Sequence, residues 1–180
     1  YVSGLGNSYC YINGKRVGGD WFNPGWTDYR YRIMYNSYDV TSLLKEGGNA
    51  MGVMLGSGWF SDLNIFTSAY VDPYGIRQSL LSKLELRFED GTVRTIVSDG
   101  SWKKYDHGPV IRSGFQFGED YDARLEQDGW ASAGFDDSAW EPAVIYDAPA
   151  PTVKIQSYVG LPIRNHITLD AVSVSEPAPG

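Results

Sequence analysis

The stretch Tyr9–Val17, YCYINGKRV, running on through GGDWFNPGWTDYR to Arg30, decides how the rest of the chain is read. Alternation in an extended segment puts Cys10 and Ile12 on one face and Tyr9 and Tyr11 on the other. Asn13-Gly14 then supplies two residues that tolerate φ > 0. A two-residue type I′ hairpin turn demands this, and it makes Lys15–Val17 the return strand. The Pro24-Gly25 pair marks a further corner, with Trp21 before it and Trp26 just after it. The residues read as short strands joined by tight corners.

Composition agrees. A chain of 180 residues makes one domain that buries about 70% of its unfolded surface, with no need of a disulfide or metal staple. Aromatics make up 14%, including 6 Trp and 13 Tyr, and there are 21 Gly. Aromatic residues favour pleated, half-buried surfaces and glycines favour the turns between them, so an all-β fold is expected. The net charge is −7 and the 15 basic residues are scattered, which argues against a nucleic-acid partner. No apolar run approaches the ~20 residues of a membrane span, and Cys10 stands alone, without a disulfide partner.

Along the chain, YRIMYNSYDV (residues 31–40) is a second extended run. TSLLKEGGN (41–49) reads as a short turn with Thr41 as N-cap and Gly47-Gly48 as the stop. Asn49–Gly56 is apolar on both faces, as in a central strand, and Gly52 within it predicts a bulge or a close approach. Residues 58–77 show no period and read as a long loop. SLLSKLELRFEDGTVRTIVSD (79–99) is the clearest hairpin, with Leu84, Leu86 and Phe88 inward, Lys83, Glu85 and Arg87 outward, and Asp90-Gly91 at the turn. Near residue 148 the Pro/Ala-rich DAPAPT reads as a linker. The expected organisation is therefore a β-sandwich over 1–147 and an extended linker and strand over 148–180 leading to a further domain.

Catalytic constellations are poorly supported. Glycoside hydrolysis needs two carboxylates about 5–10 Å apart across a pocket. The candidates Glu119, Asp120, Asp122, Asp136 and Asp137 include adjacent pairs that point to opposite faces of a strand. In GFDDSAWEP (134–142), Phe135 and Trp140 read as anchors, with Asp136 or Asp137 capping the turn between them. There is no G-x-S-x-G elbow, GLGNSY has Tyr9 where a dinucleotide fingerprint needs its third Gly, and His107 and His166 show no metal-ligand spacing.

Recognition is better supported. Sugar rings present C–H faces that stack on Trp and Tyr, while carboxylates and amides take their hydroxyls. Trp26, Asp28 and Tyr29 form one candidate carbohydrate-binding group, and Trp59, Asp62 and Asn64 another. The competing reading is packing, because Trp is highly buried on average and PGW suggests a corner against a sheet.

YINGKRVG, the run NPGWTDYRYRIMYNSYDVTSLLKEGGNAMGVMLGSGWF (23–60) and EDYDARLEQDGWASAGFDDSAWEPA (119–143) together resemble the N-terminal module of bacterial α-L-rhamnosidases, glycoside hydrolase family 78. The resemblance covers most of residues 1–147, and LPIRNHITLDAVSVSEPAPG (161–180) is similar to the join into the next domain of those enzymes. It implies a jelly-roll, galactose-binding-like β-sandwich. It also implies a parent enzyme that removes terminal α-L-rhamnose with inversion, its acid and base lying in a separate (α/α)6 barrel of the same chain. No catalytic residue and no cofactor are therefore expected here, although some modules of this type bind rhamnose through calcium. The expected partners are a rhamnose-containing glycan or glycoside and that barrel, in a periplasmic or secreted enzyme rather than a cytoplasmic one. The alternative is a purely structural interdomain module.

Overall fold

A computed structural model describes residues 1–62, 74–116, 118–146 and 153–175. Val2–Leu5 (β1) leads across Gly6 into Asn7–Ile12 (β2), and Asn13-Gly14 turn the chain into Lys15–Arg16 (β3). Both turn residues take positive φ, 51° and 76°, as the type I′ hairpin requires. Asn13 does more than turn: its amide donates to the Leu43 carbonyl at 2.9 Å and its carbonyl accepts from the Ala50 N–H at 3.1 Å. The tip of the hairpin is thereby tied to the two segments that flank it.

Arg32–Tyr35 (β4) and Met51–Gly56 (β5) come next, and β5 pairs antiparallel with β2 from Asn7↔Gly56 to Ile12↔Met51. Cys10 and Ile12 are buried while Tyr9 and Tyr11 are half-buried, so alternation sets the face of each residue. Gly52 sits in regular register opposite Tyr11, and the reason for glycine there is the Trp130 ring. A Cβ would lie 2.4 Å from Trp130 Cζ3. Gly6 is similar: its φ is 107° and a Cβ would come within 2.1 Å of the Gly56 carbonyl oxygen. That glycine lets the chain leave one sheet and enter the next.

Gly58–Ser61 (α1) is a single turn, and after it come Ser79–Arg87 (β6) and Val93–Val97 (β7). β1, β6 and β7 make one three-stranded sheet, and β3, β2 and β5 the other. Lys103–Lys104 (β8) pairs with Glu141–Pro142 (β11), Val110–Gly114 (β9) with Gly118–Tyr121 (β10), and β4 runs parallel to Lys154–Ser157 (β12). The architecture is all-β. Among the described residues its strands fall into two three-stranded sheets and three two-stranded ladders.

Two sequence expectations are corrected: Thr41 is not the cap of its turn, and Phe88, expected inward, is 50% exposed. The N-cap of the 3-10 turn Thr41–Leu43 is Val40, with no side-chain cap, and Thr41 is inside the turn; Asp39 Oδ1, one residue before the cap, accepts from both the Thr41 N–H and hydroxyl. In the β6–β7 hairpin, Val97 lies opposite Lys83 and Val93 opposite Arg87. Directly opposed residues share a face, so both valines join the charged side and stay exposed. After the Pro/Ala run, β12 runs along the β4 edge.

Buried side chains gather in two clusters. Leu5, Tyr29, Ile33 and Phe60 form one; Cys10, Ile12 and Val17 form the other, with Met51 and Val53 packed against it. Desolvation pushes the Cys10 thiol up to about 11. An open cavity of about 390 Å³ separates the second cluster from Leu84 and Leu86 of β6.

Candidate aromatic recognition site

The corner Phe22–Trp26 is closed by the Gly25 N–H donating to the Phe22 carbonyl at 2.9 Å. It delivers Trp26 flat onto Trp59 of α1, with centroids 4.9 Å apart and 15° between the planes. Trp59 in turn stacks on Phe115, at 4.2 Å and 21°, and Phe22 leans on Phe115 at 5.2 Å. Four rings from three separate pieces of chain thus make a ladder, each contact contributing about 0.5–1.5 kcal/mol beyond area burial. Its ends, Trp26 and Phe22, are 42% and 41% exposed. Trp59 is held between two rings and against the Leu5–Phe60 core. Only the terminal rings keep an open face.

Asp62, just after α1, accepts a 2.7 Å hydrogen bond from the Phe115 N–H through Oδ2. A Cβ on Gly114 would fall 2.5 Å from that carboxylate, so glycine there lets Asp62 reach the backbone and hold Phe115 beneath Trp59. Asp62 positions the ladder.

Asp28 and Arg30 form a two-pronged ion pair, Nε to Oδ1 at 2.8 Å and Nη2 to Oδ2 at 2.6 Å, with the Arg30 N–H adding 3.1 Å to Oδ1. The guanidinium holds the Asp28 carboxyl below its ordinary range, and the carboxylate raises Arg30. The pair is exposed two residues beyond Trp26.

Tyr29 is placed differently from the expectation. It is only 4% exposed, packs on Phe60 and Tyr74 at centroid distances of 5.3 and 5.1 Å, and donates its hydroxyl to the Gly25 carbonyl at 3.2 Å. Burial raises its hydroxyl pKa. The ring is core, because the Asp28–Arg30 turn sends the residue between them inward. Asn64 lies outside the described residues. The structure therefore joins Trp26, Trp59 and Asp62 around Phe115, leaves Asp28 at the rim, and removes Tyr29 to the interior. Phe22 and Phe115 escape sequence reading, as nothing local ties Phe115 to a tryptophan 56 positions earlier.

Four of the five acidic candidates, all but Glu119, are locally committed. Asp122 is clamped by Arg124 and caps the 3-10 turn Ala123–Leu125; Asp120 pairs with Arg112 at 3.0 Å; Asp137 pairs with Lys103 at 2.7 Å. Asp136 accepts from the Ser138 N–H at 3.0 Å, and Phe135 meets Trp140 edge-on, as expected for that turn. Among the described residues, no three His, Cys, Asp or Glu side chains gather to hold a metal ion. Near the ladder, both Asp28 oxygens accept from Arg30, and Asp62 Oδ2 accepts from the Phe115 N–H.

The described residues thus form an all-β domain that carries an aromatic ladder at its surface. Residues 1–166 match the family model for the α-L-rhamnosidase N-terminal domain, and the chain belongs to that family. It is 40% identical over its whole length to an α-L-rhamnosidase of Streptomyces avermitilis and 34% identical over 98% to one of an Alteromonas species. It spans 17% and 19% of those relatives. The crystal structure of Streptomyces avermitilis α-L-rhamnosidase complexed with L-rhamnose superposes on 99% of this chain, with a TM-score of 0.88 and 39% identity, again over 17% of its own length.

Proposed function

We propose that this chain is a non-catalytic accessory domain of an α-L-rhamnosidase, and that it binds carbohydrate on the outer face of Trp26. The parent enzyme, on this reading, removes terminal α-L-rhamnosyl residues with inversion from its (α/α)6 barrel, and this domain holds substrate near the rim. The observation that carries the proposal is the ladder's end: Trp26 is half exposed, its inner face is backed by Trp59, and the Asp28–Arg30 pair lies two residues on. A ring held flat from behind is a pre-organised stacking platform, so little order is lost when a sugar's C–H face settles on it. The exposed guanidinium and carboxylate match vicinal hydroxyls.

Titration of the protein with L-rhamnose, with and without calcium, monitored by calorimetry and tryptophan fluorescence, tests this. The expected result is a saturable response, without need of calcium, that disappears in Trp26→Ala. No heat and no spectral change at millimolar sugar would leave the second reading, a structural interdomain module. That reading is favoured by a groove of about 360 Å³, lined almost wholly by apolar atoms of Tyr1, Tyr35, Leu81, Val97 and Ile155.

A further inference from the structure

β7 is the outer strand of its sheet, paired with β6 on one side. The Ser98 N–H donates to the Ser82 carbonyl and the Phe88 N–H to the Thr92 carbonyl, each at 3.0 Å. Opposed pairs in an antiparallel ladder alternate between bonded and non-bonded. Leu84↔Ile96 and Leu86↔Arg94 are therefore bonded, while Lys83↔Val97, Glu85↔Thr95 and Arg87↔Val93 are not. The backbone groups of Val93, Thr95 and Val97 thus point away from β6. Among the described residues one donor meets them, the Trp102 indole N–H, 3.0 Å from the Val97 carbonyl oxygen.

The turn after β7 delivers that indole. Asp99 Oδ1 accepts from the Ser101 N–H and hydroxyl, the Trp102 N–H donates to the Asp99 carbonyl at 3.1 Å, and the Trp102 carbonyl accepts from the Ala143 N–H at 2.8 Å. A strand added to the edge would bring its own N–H to about 2.9 Å from the Val97 oxygen. The indole nitrogen already stands there. The rest of the edge is exposed and rich in β-branched residues, which makes it a template for strand addition. It also matches itself. Antiparallel pairing of two copies about a two-fold axis through Thr95 sets Thr95 opposite Thr95 and Val93 opposite Val97, so no charge meets on that face. The end bonds of this pairing need the Val97 carbonyl of each copy, the group that Trp102 holds.

We infer that Trp102 is an edge guard, whose indole closes β7 against strand pairing with a second copy of this chain. The excluded partner is a second copy because the outward Val-Thr-Val set is complementary to itself. Two features keep that pairing weak enough for one side chain to prevent it. A seam of five residues buries far less than the roughly 1,000 Å² of a lasting interface. On the other face Arg94 meets Ile96 across the seam and stands diagonal to its own twin, about 7–8 Å away. The inference is independent of sugar binding at Trp26, so the rhamnose titration and the measurements on this edge fail separately.

Hydrogen exchange and sedimentation decide it. In the parent protein the Arg94 and Ile96 amides are expected to exchange at least about 100-fold more slowly than that of Thr95, at every concentration from micromolar to submillimolar. In Trp102→Ala the Thr95 amide is expected to gain about tenfold or more in protection as concentration rises, with a matching rise in sedimentation coefficient, while β2–β5 amides stay protected. Trp102→Phe, which keeps a ring for folding but frees the Val97 carbonyl, should shift in the same direction. Adding Thr95→Pro, which removes the central outward N–H of an edge strand, should restore a monomer in both backgrounds. A Thr95 amide as protected as Ile96 in the parent would overturn the inference, since the edge is then already covered. So would Trp102 variants that stay monomeric throughout, or an association that survives Thr95→Pro.

Discussion

The β2–β3–β5 sheet and the aromatic ladder are both held by side chains packed at close range, but they are built in different ways. In the sheet, burial tracks position: Ser8, Cys10 and Ile12 go in, and Asn7, Tyr9 and Tyr11 lie at the other face. In the ladder, four rings arrive from a corner, a single helical turn and the end of β9, and no residue's neighbours in sequence foretell its partner. The first is a local code with period two; the second is a tertiary event. The sheet should therefore fail as a unit when one position is emptied, whereas the open end of the ladder can lose a ring and leave the fold standing.

The largest effect is expected in the sheet. Ile12 is 2% exposed at the centre of its cluster, so Ile12→Ala removes packing atoms that the neighbours cannot replace and is expected to cost about 2–5 kcal/mol in urea denaturation. A loss below half that range would mean that the adjoining cavity already leaves the cluster slack. Gly52→Ala comes next. Its methyl would meet the Trp130 ring, itself edge-on to Tyr11 at 5.2 Å, so the ring must move, at an expected cost of about 1–3 kcal/mol. A neutral Gly52→Ala would show that Trp130 swings away freely.

The same contrast explains what is legible in the sequence. The Asn13-Gly14 turn, the inward Cys10 and Ile12, and the pairing of β6 with β7 come from alternation and turn chemistry and appear as expected, whereas Phe88 is 50% exposed. The close approach at Gly52 is legible as a need for glycine, but not that Trp130, 78 positions later, imposes it. Of the proposed binding residues, Trp26 and Trp59 are identifiable by type, yet their mutual stacking is not, and Tyr29 is expected outside. Its inward turn depends on Arg30 folding back on Asp28. Phe88 misleads because it lies past the last β6–β7 pair, Arg87↔Val93, at the open end of the hairpin.

Trp26→Ala sharpens the comparison from the ladder's side. It removes one stacked contact at an exposed end, so an expected loss of about 1 kcal/mol accompanies full loss of the L-rhamnose response. Trp59→Phe keeps a ring beneath Trp26 and should retain the response at reduced amplitude. If Trp26→Ala instead unfolds the domain, the ring is part of the core and the platform reading fails.

The smallest effect separates turns from both packed regions. Asp39, Asp90, Asp99 and Asp136 each accept from the residue two positions on, Thr41, Thr92, Ser101 or Ser138, and these bonds hold each carboxyl below its ordinary 3.8. A group whose folded pKa is depressed stabilises the fold above the unfolded value and loses that contribution as pH falls through the folded one. All four are solvent-exposed, so each contribution is slight, and acid should lower the denaturation midpoint gradually below about pH 4. Replacing all four by Asn keeps an oxygen to accept the turn N–H but removes the proton that competes for it. That variant should be slightly less stable than the parent near neutrality, approach it in acid, and so show a shallower acid decline. An acid limb of unchanged steepness would assign the decline to the Asp28–Arg30 and Asp122–Arg124 pairs instead, whose carboxyls are held low by a guanidinium.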